Sequence, residues 1–82
     1  MSRMPQTNAR QLIRFLQSEG FVEDRQSGSH LTLRHGARGI AVTVPVHAGQ
    51  DIGRGLAVRI LKDAGLTVDD YVKSRRRKRK RP

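Results

Sequence analysis

The stretch HLTLRHGARGIAVTVP, residues 30–45, decides the predicted fold, because two alternating segments flank a glycine-rich turn. We place Ala37 and Arg38 at the tip of a hairpin, which assigns a partner to each strand residue. One surface then carries aliphatic pairs, namely Leu31 with Val44 and Leu33 with Val42. The other surface carries His30 with Pro45, Thr32 with Thr43, and Arg34 with Ala41. This division predicts an antiparallel hairpin with one buried face.

A third strand and a helix are predicted before this hairpin. Phe21–Arg25 is an extended segment, and the QSGS that follows is typical of a turn. Nearer the N-terminus, Asn8 and Gln11 have the spacing of a capping box. The apolar residues after Asn8 recur at helical spacing: Ala9, Leu12, Ile13, Phe15 and Leu16. Gly20 is typical of a helix end, so the first helix should cover about residues 8–19.

Two further helices are predicted after the hairpin. Helical spacing returns in a set of apolar residues that ends before Gly65: Leu56, Ala57, Ile60, Leu61 and Ala64. Thr67 and Asp70 form a second capping box, which opens a last helix with Tyr71 as a partial cover. The predicted fold class is therefore α+β, a three-stranded antiparallel sheet with helices on one face.

Positive charge is concentrated at the C-terminal end of the chain. The 82 residues carry a net charge of +10, and eight Lys or Arg lie between Lys73 and Pro82. Residues 1–72 hold nine basic and seven acidic side chains, a net of +2. We therefore predict a flexible leader over 1–6, one domain over 7–73, and a disordered basic tail over 74–82. This tail either solubilises the chain or binds polyanions through Arg75, Arg76, Arg77, Lys78, Arg79, Lys80 and Arg81.

Several classes of site and location are disfavoured by the composition. Without cysteine, the chain has no disulfide, thiolate metal site or cysteine nucleophile. Three histidines without a close carboxylate cluster make a poor metal site, and no phosphate-binding P-loop pattern occurs. No apolar run is long enough for a membrane span, and the N-terminus lacks the apolar region of a secretion signal. We expect a cytoplasmic protein that needs no metal or other cofactor.

Four pieces of sequence occur in an informative order and spacing: ARQLIRFLQSEGF, RQSGSH, VTVPVHAGQDIGRG and ILKDAGL. Together they resemble the HicA (YcfA-like) toxins of bacterial toxin–antitoxin modules, over about residues 8–72. The most specific elements are the triplet Gly28-Ser29-His30, the strand end VTVP with His47 two residues later, and the helix end ILKDAG.

The resemblance implies a fold, an activity and a partner. The fold would be α-β-β-β-α, similar to double-stranded-RNA-binding domains. The activity would be that of an mRNA interferase, an endoribonuclease that needs no metal and uses His30 as its catalytic residue. A HicB-type antitoxin would bind the toxin and block His30. Leu31 stands where family members often carry a second histidine, and the Arg/Lys tail is not part of the usual family pattern.

The predicted position of His30 suits the implied chemistry. Cleaving RNA without a metal needs a base for the 2′-hydroxyl proton, an acid for the leaving oxygen, and cations beside the phosphate. Histidine suits proton transfer because its unperturbed pKa is about 6.5. In the predicted register, His30 faces the polar side of the sheet, where a substrate can reach it. An exposed histidine without a task is the simpler interpretation of the residue alone, and the family resemblance favours catalysis.

The other two histidines have different predicted surroundings. His47 lies just beyond Pro45, the predicted partner of His30. It is either a second acid or base, or a loop histidine without a role. His35 pairs with Ile40 on the core side of the hairpin, so we interpret it as structural or simply exposed.

Candidate RNA contacts come from cations and from turn residues. Arginine mostly supplies contacts to the backbone of RNA, but an exposed arginine on a strand is often only solvated. The glycines around Arg54 could leave helix amides free for a phosphate, or could only permit a turn. In the turn before His30, Ser29 could hydrogen-bond a phosphate or could simply be a turn residue, and Gly28 supplies backbone freedom. The candidates are Arg25, Gly28, Ser29, Arg34 and Arg54.

Two other functions remain open at the level of sequence. A non-catalytic RNA- or ribosome-binding module could use the same fold together with the basic tail. A decayed toxin could persist as an interaction protein, although the intact Gly28-Ser29-His30 triplet argues against that.

Overall fold

Three antiparallel strands form the main sheet, in the order β2-β3-β4. They are β2 (Val22–Ser27), β3 (His30–His35) and β4 (Ile40–Pro45), and a two-residue strand, β1 (Thr7–Asn8), precedes them. The computed structural model describes residues 3–47 and 51–76. All six residue pairs predicted between β3 and β4 are confirmed, from His30 opposite Pro45 to His35 opposite Ile40.

The first strand of the main sheet extends further than the sequence predicted. It reaches Ser27, which pairs with His30, so the turn contains only Gly28 and Ser29. A two-residue turn is possible because Gly28 adopts a φ of +60°, which glycine reaches without a steric penalty. The register between β2 and β3 shifts at Asp24, where β2 carries an extra residue. Such a bulge has no clear pattern in the sequence.

Helix α1 (Ala9–Ser18) begins where the capping pattern predicted. Asn8 is extended, with φ −134°, and its Oδ1 accepts a hydrogen bond of 2.9 Å from the Gln11 amide. This bond satisfies one of the amides that a helix start leaves without a partner. After the helix, Gly20 takes a φ of +102° and turns the chain into Phe21 and the sheet.

Helix α2 (Arg54–Asp63) follows a second two-residue strand, β5 (Asp51–Ile52). Arg54 and Gly55, expected before the helix, form its first turn, and Gly53 is the N-cap. Leu56 was expected on the buried face of α2, but its side chain is 46% exposed. The face of α2 that packs on the core begins at the next residue, Ala57. Ala57, Ile60, Leu61 and Ala64 are buried, as predicted.

Helix α3 (Val68–Arg76) continues past the predicted end of the domain at residue 73. The predicted capping box is present, because Thr67 and Asp70 each donate a backbone amide to the other's side chain, both at 3.0 Å. Ser74 and Arg75, assigned to a disordered tail, lie in this helix, where the Arg75 guanidinium stacks over the Tyr71 ring. Residues 77–82 of the predicted tail lie outside the described residues.

The core fills the space between the helices and one face of the sheet. The strands contribute Leu31, Leu33, Val42 and Val44, and the largest helical contributions come from Leu12, Phe15, Leu16, Ile60, Leu61 and Tyr71. Tyr71 is 1% exposed, so it is a core residue and not the partial cover that the sequence predicted.

Met4 also belongs to the core, although it lies in the predicted flexible leader. The chain around it is held because β1 pairs with β5, with Thr7 opposite Ile52. The architecture is the predicted α+β fold, similar to double-stranded-RNA-binding domains, with a small second ladder added. None of the described helices is long and apolar enough to span a membrane.

Candidate active site

The main sheet has one face that no described helix covers. Alternate residues of β3 and β4 point away from the core, and all six residues of β2 are exposed. The cross-strand register aligns Ser27 with His30 and Pro45, and Arg25 with Thr32 and Thr43. We call this surface the open face; it consists of Val22, Arg25, Ser27, His30, Thr32, Arg34, Ala41, Thr43 and Pro45.

His30 lies at one end of this open face. It is the first residue of the central strand, and its side chain is exposed. Among the described residues, no hydrogen bond or ion pair involves the His30 side chain. The imidazole is therefore free to exchange a proton with a molecule bound on the open face.

The turn before His30 leaves the approach to the imidazole open. A Cβ atom added to Gly28 would meet no atom within 4 Å. Gln26 Nε2 donates to the Gly28 carbonyl at 3.2 Å, and the Val46 amide donates to the Ser29 carbonyl at 2.6 Å. The turn is thus tied to the strands on both sides by backbone acceptors, so the Ser29 hydroxyl is not used for these contacts.

His47 lies at the same end of the sheet as His30. Pro45 is directly opposite His30, and the bond from Val46 to Ser29 continues the ladder for one more residue. His47 comes next and is exposed. Together with residues of the β5–α2 connection, it lines a small cavity whose other members are Pro45, Asp51, Ile52, Gly53 and Leu56.

The two predicted arginines of the sheet have different electrostatic surroundings. Arg34 Nη2 lies 3.6 Å from Asp24 Oδ2, and the bulge of β2 is what places this carboxylate beside Arg34. Arg25 has no hydrogen-bond or ion-pair partner among the described residues. The open face therefore offers Arg25 as an unpaired cation, whereas a carboxylate partly neutralises Arg34. Sequence reasoning did not find the Asp24 contact.

Arg54 lies away from the open face, at the start of α2. Its Nε donates a 3.0 Å hydrogen bond to the Met4 carbonyl, so this side chain holds the N-terminal segment. The neighbouring N-cap, Gly53, makes no side-chain capping bond and lines the same cavity as His47.

His35 has a structural task, which decides between the two interpretations left open by the sequence. Its ring meets the Phe21 ring edge-on, with centroids 5.2 Å apart and planes at 79°. Its Nδ1 accepts a 3.2 Å hydrogen bond from the Arg38 amide in the hairpin turn. Gly20 is required beside it, because an added Cβ would lie 2.7 Å from His35 Nε2.

The open face and the loop beside it thus carry two exposed imidazoles and a cation. His30 is exposed on the open face and His47 lies at the same end of the sheet, while Arg25, which has no ion-pair partner among the described residues, is opposite Thr32, the next residue after His30 on that face. Within residues 3–47 and 51–76, no group of three or more His, Cys, Asp or Glu side chains is arranged to hold a metal ion. Acid–base chemistry on an anionic substrate is what these side chains can perform.

A comparison with protein families matches most of the folded region. A family model described as "HicA toxin of bacterial toxin-antitoxin" matches residues 9–66, which is well over half of the chain. The matched region begins at α1, contains the whole open face, and ends three residues after α2. No curated protein matches the chain.

Proposed function

This chain belongs to the HicA toxin family of toxin–antitoxin modules, and from that premise we propose that it is an endoribonuclease that cleaves mRNA. The proposed catalytic residue is His30, and the reaction needs no metal ion. A HicB-type antitoxin is the proposed inhibitor. The observation that carries the proposal is the exposed His30 imidazole, which has no partner among the described side chains and lies on an open, polar sheet face.

The proposed reaction is attack of a ribose 2′-oxygen on the adjacent phosphorus. A base takes the 2′-hydroxyl proton as the new phosphorus–oxygen bond forms. The bond from phosphorus to the 5′-oxygen of the next nucleotide breaks, and an acid gives that oxygen a proton. We assign one of these transfers to His30, whose exposure supports the assignment, and His47, at the same end of the sheet, is the candidate for the other.

Charge stabilisation is assigned to the cations of the open face. Negative charge builds up on the phosphate oxygens during attack, and preorganised donors stabilise it. Arg25 forms no ion pair with any described residue and lies on β2 beside the central strand. The Ser29 hydroxyl and the exposed backbone of the Gly28 turn are the further proposed phosphate contacts.

The antitoxin is proposed to act by covering the open face. Because His30 is exposed on a sheet face and not recessed in a cleft, a partner that packs on this face excludes RNA from the imidazole. The proposed place of action is the cytoplasm, where mRNA is translated.

The decisive experiment compares the chain with its His30→Ala variant on an mRNA substrate. We expect the variant to lose cleavage and to keep both RNA binding and its unfolding temperature, because the His30 side chain is exposed and makes no hydrogen bond or ion pair with the described residues. An Arg59→Ala variant, altered at an exposed position of α2, is the matched control and should cleave normally. Cleavage by His30→Ala at the control rate would overturn the proposal.

Two further arms complete this experiment. His47→Ala is expected to reduce the cleavage rate if His47 is the second proton-transfer group, and full activity would remove that role.

The rival function, a non-catalytic RNA- or ribosome-binding module, is favoured by the basic C-terminal segment. It would be supported if the unaltered chain and His30→Ala both bind RNA and neither cuts it.

A further inference from the structure

A groove lies between α1 and α3, in the helical layer and apart from the open face. Its floor is formed by Phe15 and Tyr71, whose rings meet edge-on with centroids 5.1 Å apart. Both rings are nearly buried, at 4% and 1% exposure. The groove encloses 390 Å³, within the range of clefts that receive ligands.

The rim of this groove is polar and positively charged. Gln11, Arg14 and Ser18 line it from α1, and Ser74 and Arg75 line it from α3. Of the described residues that line the groove, none is acidic. The rim therefore combines two guanidinium groups with the Gln11 amide and the Ser74 hydroxyl, which are donors that bind phosphate oxygens, whereas the Ser18 hydroxyl already donates to the Phe15 carbonyl at 2.6 Å.

The two arginines are available to a ligand in different ways. Arg14 is exposed, and no described residue forms a hydrogen bond or ion pair with its side chain. Arg75 is held in place, because its guanidinium lies 5.8 Å from the centre of the Tyr71 ring and Nη1 donates to the Gln6 carbonyl at 3.4 Å. One nitrogen accounts for that bond, so the remaining donors of Arg75 can bind an anion.

In the sequence, further cations follow the residues that form the α3 side of the groove. Arg76 follows Arg75 at the end of α3, and Arg77 to Arg81 follow it without an acidic residue. This side lies outside the match to the toxin family, which ends at residue 66. The groove is therefore formed in part by a segment that the family pattern does not contain.

We propose that the groove between α1 and α3 binds the phosphate backbone of RNA, as a contact surface separate from the open face. This inference rests on the proposed function, because it assigns the groove to the RNA that the open face would cleave. A protein partner fits less well, since the floor rings expose little apolar surface and the rim is cationic. Contacts to phosphates hold RNA of any sequence and weaken as salt screens them.

The test measures binding of a 2′-O-methyl RNA oligonucleotide of mixed sequence by fluorescence anisotropy at several salt concentrations. This probe has no free 2′-hydroxyl, so the result does not depend on cleavage or on His30. Arg14→Glu should weaken binding on the order of fivefold at low salt. It should also reduce the slope of log affinity against log salt by about 0.7 for each phosphate that the variant no longer neutralises.

Arg59→Glu is the matched control, because it makes the same charge change at an exposed position of α2 that does not line the groove. Arg75→Gln, with a check of its unfolding temperature, tests the α3 side without reversing charge. Equal reductions in affinity for Arg14→Glu and Arg59→Glu would overturn the proposal, because net charge alone would then explain both. Unchanged RNA affinity combined with weaker antitoxin binding would overturn it too, and would assign the groove to the antitoxin.

The groove and the proposed catalytic role of His30 can fail independently. If the groove holds RNA for the reaction, Arg14→Glu should raise KM for mRNA cleavage and leave kcat within about twofold. A normal KM with weaker oligonucleotide binding would contradict the assignment of the groove to substrate RNA. Persistent cleavage by His30→Ala would instead contradict the catalytic proposal and leave the binding result intact.

Discussion

His30 and His35 occupy the two ends of β3, on opposite faces of the sheet. An odd separation along a strand directs two side chains to opposite faces, so His30 points to the open face and His35 toward Phe21. The first imidazole has no partner among the described residues, whereas the second packs on a ring and accepts a backbone hydrogen bond. The same residue type therefore has different surroundings at each end of the strand.

Asp24 is the residue that most directly limits positive charge on the open face. We predict that Asp24→Ala will increase RNA affinity, because it releases Arg34 from a carboxylate 3.6 Å away. The decrease in stability should stay below about 1 kcal/mol, since both side chains of this ion pair are substantially exposed. Binding of the 2′-O-methyl oligonucleotide and urea unfolding measure the two effects.

Glu23→Ala provides the control for this prediction. Glu23 is exposed and next to Asp24, but it pairs with Leu33 and so lies on the opposite side of β2. Both variants remove one negative charge from the same strand. If Glu23→Ala raises RNA affinity as much as Asp24→Ala does, the release of Arg34 is not the cause.

At the scale of elements, the contact of α3 with the N-terminal segment holds one end of the molecule together. The Tyr71 hydroxyl lies 2.6 Å from Thr7 Oγ1, and both side chains are buried. Tyr71 thereby joins α3 to β1, while its ring packs on Phe15 of α1. The helix thus stabilises the β1–β5 ladder as well as forming a wall of the groove.

We predict that Tyr71→Phe will lower the free energy of unfolding by about 1–2 kcal/mol, because it leaves the buried Thr7 hydroxyl without this partner. The ring and its packing on Phe15 are retained in this variant. A double-mutant cycle with Thr7→Val, followed by urea unfolding, measures the coupling between the two hydroxyls. Strictly additive effects would show that the hydrogen bond contributes nothing.

At the scale of the whole molecule, charge is divided between a nearly neutral domain and a basic end. Residues 1–72 carry a net of +2, and the ten residues from Lys73 add eight positive charges. Charge of this density raises affinity for polyanions without selecting a sequence. The proposed RNA cleavage therefore depends on the folded domain, where the open face lies.

We predict that removing residues 77–82 will weaken RNA binding and reduce its salt dependence, because the deletion takes away five Lys or Arg. The unfolding midpoint should not change, since residues 77–82 are Arg, Lys and Pro, which offer little apolar side chain for a core. Replacing every arginine in 77–82 by lysine is the control and should keep the salt slope. Unaltered affinity after the deletion would show that this segment does not contact RNA.

Local patterns in the sequence predicted the parts of the fold that depend on near neighbours. Strand periodicity predicted the register of β3 and β4, and with it the exposure of His30 on the open face. Capping residues predicted the starts of α1 and α3, because a cap is a hydrogen bond across three residues. The proposed catalytic role of His30 remains a prediction, and its support from sequence is the family resemblance.

Other features depended on contacts between distant parts of the chain, which only the tertiary structure decided. The Thr7–Tyr71 bond joins residues 64 positions apart and makes Tyr71 a core residue. The Arg54 side chain donates a hydrogen bond to the Met4 carbonyl, 50 positions away in the sequence. The bulge in β2 places the Asp24 carboxylate beside Arg34. The groove likewise exists only because α3 returns to α1. The sequence identifies each residue type, but tertiary packing determines which residues contact one another.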